Sequence, residues 1–153
     1  LADNPRIAQR MMTPNDSNIH YSVFGGVILE LIHQAAEQAA SDYAQGPVIA
    51  VRQDRMSFEQ PAFIGETVEA KAIITRTWRT SMEIQVEVSA APSPEKEPRR
   101  VAWSYLVFIA QDTEGHPQPL PPFEPQTYTQ RLRWQEADIR RSIRLLERLT
   151  SQA

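Results

Sequence analysis

The 153 residues, 41% hydrophobic and 23% charged, amount to one globular domain by the usual span of roughly 100–200 residues. The longest apolar runs, such as residues 106–110, fall far short of the roughly 20 residues a spanning helix needs, and no basic-then-apolar leader opens the residues. With no cysteine there is no disulfide, thiolate nucleophile or Cys-containing zinc site, and a reduced, cytoplasmic setting is expected.

Charge and histidine spacing exclude two further classes. The net charge of −3 hides an asymmetry: residues 131–153 carry six arginines against three acids, which leaves the rest of the chain strongly acidic. Phosphate-backbone binding needs a concentrated basic face, so no nucleic-acid partner is expected. His20, His33 and His116 lack the HxxxH or HxH spacing of a metal site.

In chain order, the first strong signal is a helix from Gly25 to about Tyr43. Val27, Ile28, Leu31, Ile32, Ala35, Ala36, Ala39 and Tyr43 form a wide apolar face, and Glu30, His33, Gln34, Glu37 and Ser41 the opposite stripe. Gln45-Gly46-Pro47 stops it. Val48–Phe58 and Thr67–Thr77 read as strands, and Arg79-Thr80 as a tight hairpin into the cleanly alternating Met82–Ala90. Pro92-Ser-Pro94 to Pro98 is a loop, and Arg99–Ala110, apolar on both phases near its end, is a more central strand. The prolines from Pro117 to Pro125 predict an extended segment. Thr129–Ser151 then predicts one amphipathic helix, with Ile139, Ile143 and Leu146 turned inward onto the body or a partner subunit and the arginines left outside. One long buried helix and four antiparallel strands make a single sheet wrapped around a single helix, an α+β fold. Trp78, Trp103 and Phe58 are expected in the core.

Four segments carry a family resemblance. Met12–Ile32, with Asn18 ahead of Phe24-Gly25-Gly26, resembles the entry to the central helix of hotdog-fold acyl-CoA thioesterases (acyl-CoA hydrolases). The likeness continues through Val51–Glu66 and Arg79–Glu83 and closes at Glu114–Pro122, in the family's order. It implies a hotdog domain over residues 1–125 with a C-terminal amphipathic helical extension over 126–153. It also implies a homodimer with shared active sites, often assembled into a hexamer as a trimer of dimers. No metal or redox cofactor is implied, and coenzyme A enters only as part of the substrate. The activity implied is hydrolysis of an acyl-CoA thioester to acid and CoA. The alternative is a non-catalytic acyl-CoA-binding relative that has lost the usual catalytic acid. A hydratase is disfavoured, because no His/Asp or His/Glu dyad pattern is visible.

The physical reading of the entry loop agrees with acyl transfer. Gly25 and Gly26 let a ligand approach the backbone where a helix start offers free N–H groups and a positive dipole end. Such donors suit an oxyanion, each worth about 2.7–4 kcal/mol of transition-state stabilisation. Relatives usually carry an acid or Asn two residues before Phe-Gly-Gly, or an Asp seven residues after the second Gly; here these positions are Ser22 and His33. Three readings stand in place of that acid. A carboxylate of Glu30 or Glu37, on the same stripe, orients His33 as general base. Alternatively Glu30 supplies the carboxylate directly. In the third, the stripe is simply a solvated or subunit-facing surface. Asn18 would hold the water or thioester and Ser22 donate a hydrogen bond. By the resemblance, the CoA slot runs between subunits past Arg52, Arg55, Arg79, Thr80 and Ser81.

Overall fold

In the computed structural model, which describes residues 5–151, β1 (Arg6–Met11) leads through a 3-10 turn to α1 (Gly25–Ala44). There follow β2 (Val48–Phe58), β3 (Thr67–Thr77), β4 (Ser81–Ala91), β5 (Arg99–Ala110) and α2 (Tyr128–Ser151). The strands form one sheet in the order β1-β3-β4-β5-β2, every pairing antiparallel. Four strands and both helices lie where the periodicity predicts them. The fifth, β1, escapes notice in the sequence because Arg6-Ile-Ala-Gln-Arg-Met11 is short, only half apolar and without clean alternation, and it is an edge strand.

The helix α1 lies on one face of the sheet, burying Ile28, Leu31, Ile32, Ala35, Ala36, Ala39 and Ala40. These pack against the inward residues of the strands, among them Val68, Ile84, Val86, Leu106 and Phe108. The run of alanines lets the helix sit close to the sheet. Gln45, not Gly46, takes the left-handed conformation that ends α1. Beyond β5 the proline segment runs extended over the body, tied by Gln118 N to Ala110 O and Leu120 N to Arg79 O, both 2.8 Å.

The second helix corrects the sequence reading. It crosses the opposite face of the sheet, but its buried residues are Gln130, Ala137, Arg140 and Arg144. Ile139, Ile143 and Leu146, expected inward, are exposed, as is Leu149. The cause is Glu83 of β4. Its neighbours Met82 and Ile84 enter the core, so period-two alternation turns the fully buried Glu83 to the other face. There Arg140 donates from Nη2 to Glu83 Oε1 at 2.7 Å and Arg144 from Nη2 to Oε2 at 2.5 Å. Thr75 Oγ1 adds a third donor at 2.6 Å, and the Arg140 guanidinium stacks 3.8 Å from the Tyr105 ring centroid. A buried carboxylate demands compensating charge more strongly than a leucine demands burial, so the ion pairs set the helix's rotation. Burial by itself pushes Arg140 and Arg144 down; the bonds to Glu83, joined for Arg144 by Asp54, more than offset it and leave both raised.

Candidate functional site

Two loops meet at the start of α1, and carboxylates hold both. In the first, Asp16 accepts from Thr13 N at 2.8 Å and pairs with Arg10, while its carbonyl accepts from Phe24 N at 2.7 Å. In the second, Glu66 accepts from Phe63 N at 2.8 Å and from both terminal nitrogens of Arg99, at 2.5 and 2.6 Å. Arg99 also reaches Pro61 O at 2.7 Å. The loops are stitched together by Val23 N to Ala62 O at 2.8 Å and a bridge between Ser22 and Phe63. Both carboxyls are held below their ordinary range, Asp16 first by the Thr13 backbone bond and Glu66 first by Arg99.

This scaffold presents Gly25 and Gly26 as the first turn of α1. The residue before them, Phe24, makes no side-chain cap; Val27 N donates back to Phe24 O at 3.0 Å, so the Gly25 and Gly26 amides are the first-turn donors left for a ligand or solvent. A side chain at Gly26 would place its Cβ 2.5 Å from Phe24 Cε1, so the exposed Phe24 ring would have to swing aside. A recess of about 280 Å³ opens beside Gly25, walled by Val23, Ile28, Phe58, Pro61, Ala62 and Val101. Phe58, expected in the core, instead stands half out of the protein at 53% exposure and forms the recess wall. Helix-end donors beside an apolar recess can bind a polar, anion-forming head with an apolar tail.

The remaining candidates take different places. Asn18 is committed to its own loop: Oδ1 accepts from His20 N at 2.8 Å, and Nδ2 donates to Ser22 Oγ at 2.9 Å. Asn18 and Ser22 are thus brought together as a pair that shapes the turn. His33 pairs with neither Glu30 nor Glu37, both of which are exposed. Its Nε2 lies 2.9 Å from Gln53 Oε1 on β2, and Gln53 Nε2 donates to Ser104 Oγ at 3.1 Å. That assignment gives Nε2 the proton and leaves the neutral imidazole's lone pair on Nδ1. Glu59, at the recess rim, is occupied by Trp103 Nε1 at 2.9 Å and by Arg100 at 3.4 Å.

Arg52, Thr80 and Ser81 gather on the other face of the sheet, in a cleft of about 350 Å³ beneath α2. Trp78, Arg141, Arg144 and Arg148 complete it; Trp78, expected in the core, stands at the cleft wall, and the arginines were not legible because hydropathy turns the helix the wrong way. Arg55 and Arg79 do not line it; Arg55 sits in the β2 bulge with a φ of 51°. Among the described residues, no three acidic or histidine side chains are grouped to hold a metal ion, and no helix is long and apolar enough to cross a membrane.

A five-stranded antiparallel sheet around one long helix, with a glycine pair opening that helix, is the hotdog architecture. The chain belongs to the hotdog-fold thioesterase superfamily, in the acyl-CoA thioesterase family: the Thioesterase superfamily model matches residues 20–96. A hexameric acyl-CoA thioesterase has a similar solved structure, 31% identical with a TM-score of 0.88, covering 94% of this chain and 92% of that one. An acyl-CoA hydrolase from Staphylococcus aureus, solved with butyryl coenzyme A, coenzyme A and coenzyme A disulfide, is 26% identical. Its TM-score is 0.88, over 97% of this chain and 90% of that chain. The cytosolic acyl coenzyme A thioester hydrolase of Mus musculus is 27% identical over 128 residues, 82% of this chain. That span is only 34% of the mouse protein's length.

Proposed function

We propose that the protein hydrolyses acyl-CoA thioesters to a free acid and CoA. The observation that carries this reading is the uncapped Gly25-Gly26 helix start opening onto an apolar recess. In the proposed reaction the acyl chain enters the recess and the thioester carbonyl faces the first-turn amides. Water adds to the carbonyl carbon, and its proton passes to His33 Nδ1. The oxyanion of the tetrahedral intermediate is held by the amides and the helix dipole. Collapse of that intermediate breaks the C–S bond, and the imidazolium returns the proton to the departing CoA sulfur. Gln53 and Ser104 support this role for His33, since they hold the ring's orientation through its Nε2 and leave Nδ1 without a protein partner among the described residues.

His33 follows Gly25 by eight residues, about 12 Å along the helix axis. One chain's base therefore stands too far from its own oxyanion amides to serve the same carbonyl, and the reading requires a site shared by two copies. The edge strand β2 and the exposed Phe24, Ile49, Val51 and Phe58 support an interface there. A homodimer, assembled further as hexameric relatives are, in the cytoplasm, is the proposed form.

The test is release of free thiol from acyl-CoAs of graded chain length. Turnover of at least one, in proportion to enzyme, is expected. CoA binding without thiol release from any of them would leave the non-catalytic binder as the correct reading.

A further inference from the structure

Helix α2 is amphipathic the wrong way round for its place in the fold. The side it turns to the sheet is mostly polar: Gln130, Ala137, Arg140 and Arg144. On the opposite side Tyr128, Leu132, Ile139, Ile143, Leu146 and Leu149 point away from the body, between 37% and 75% exposed. The helix is not free to turn them inward, because Arg140 and Arg144 are tied to the fully buried Glu83, and releasing them would strand a buried charge. Two further ties hold the same rotation, Arg76 to Asp138 at 3.0 Å and Arg52 to Glu147. An apolar stripe therefore stands fixed in water along about 30 Å of helix.

Its size and spacing say what fits it. The exposed area of these six side chains is on the order of 600 Å², at the upper end of the largest patch a monomer leaves uncovered. Two such faces together would bury about 1,200 Å², the size of a specific protein–protein interface. Leu132, Ile139 and Leu146 recur every seven residues, with Tyr128, Gln135, Ser142 and Leu149 in the alternating positions between and beyond them. That is the heptad by which one helix packs along another. The polar Gln135 and Ser142 within the seam restrict its register. When two copies lie parallel and in register, Arg131 of one comes beside Glu136 of the other, five residues on, where opposite charges flank such a seam. Both are exposed, and neither makes an ion pair among the described residues. A lipid surface fits less well: Glu136, Asp138 and Glu147 lie among the charges of this helix, and the chain carries a net −3, which anionic headgroups repel.

We infer that the outer face of α2 is an interface between two copies of this chain, packed helix along helix, parallel and in register. It lies across the sheet from α1 and is separate from the shared site proposed at β2. A chain with both faces joins dimers into a larger assembly, and the contact does not depend on the chemistry proposed at His33.

Sedimentation velocity of the full chain, with no substrate present, reads the contact. The Ile139→Glu, Leu146→Glu double variant, which sets like charges against each other in the seam, is expected to lose about half or more of the wild-type assembly mass. Its circular dichroism should stay that of wild type. Because the chain has no cysteine, a single introduced one can pair only between copies. Ile139→Cys and Leu146→Cys are each expected to give a disulfide-linked dimer on oxidation with diamide, whereas Lys96→Cys, on the β4–β5 loop, is not. A wild type no heavier than the double variant overturns the inference, whether or not it sediments with vesicles of phosphatidylcholine and phosphatidylglycerol. Ile139→Cys and Leu146→Cys chains that both stay unlinked overturn it too. Thiol release is read separately: its failure would remove the thioesterase reading and leave this interface standing.

Discussion

Individual residues divide the candidate site into parts that do chemistry and parts that hold shape. Among the described residues, His33 is the one titratable side chain of the α1 stripe with a partner across to the sheet, Gln53, and the proposed base is its other ring nitrogen, Nδ1. His33→Ala is therefore expected to lower kcat by about 10²–10⁴, the usual worth of a general base, with CoA affinity retained. Glu30→Gln is expected to leave kcat unchanged, because its carboxylate is exposed and unpaired with the imidazole. Thiol-release kinetics on the two variants check both statements; a large loss in Glu30→Gln with none in His33→Ala would transfer the role to the glutamate. Asn18 and Ser22 shape the entry turn through each other, so their replacement should disturb the presentation of the helix start. A side chain at Gly26 would displace the Phe24 ring from its place beside the proposed oxyanion amides.

The elements show how much was legible in the sequence. Helix α1 and four strands could be drawn from periodicity because each has one face in a single apolar core, and hydropathy reports such faces faithfully. Helix α2 has the predicted span but a different rotation: hydropathy turns Ile139, Ile143 and Leu146 inward, whereas the buried charge of Glu83 draws Arg140 and Arg144 inward. No local pattern reveals that pairing, which joins residues 57 and 61 apart in sequence. The partnership of His33 with Gln53 was hidden for the same reason, whereas the Gly25-Gly26 pair lay next to its own helix start and could be read directly. Glu83→Ala, which strands two buried arginines, is expected to cost about 3–5 kcal/mol of stability, measured by denaturant unfolding. The loops at the start of α1 make a separate statement about pH. Asp16 and Glu66 have folded pKa values below their unfolded ones, so their stabilisation is complete above the unfolded values, about 4. It is lost as pH falls through the lower folded values. Stability should be flat in this respect from neutral pH to about 5 and fall below about 4. Asp16→Asn should flatten part of that acid slope in unfolding curves measured across pH.

At the scale of the whole molecule, the sheet separates two candidate sites. One face carries α1, the glycine pair and the apolar recess; the other carries α2 and the arginine-lined cleft. The described chain leaves β2 as an open edge with apolar side chains beside it, and places the base and the oxyanion donors about 12 Å apart along α1. Both features fit a site completed by a second copy, and the arrangement is testable by complementation. A His33→Ala chain and a Gly26→Val chain, each inactive alone, should together regain about a quarter of wild-type activity in an equal mixture of freely exchanging dimers. A mixture as inactive as its components would place both groups in one chain's site.

The thioesterase account is tested most directly by following both products of an acyl-CoA in water enriched in heavy oxygen. Equal amounts of free CoA and free acid are expected, with one heavy oxygen in each newly formed carboxylate, as addition of water to the thioester carbonyl requires. Acyl-CoA recovered intact from a protein that binds it would contradict the account.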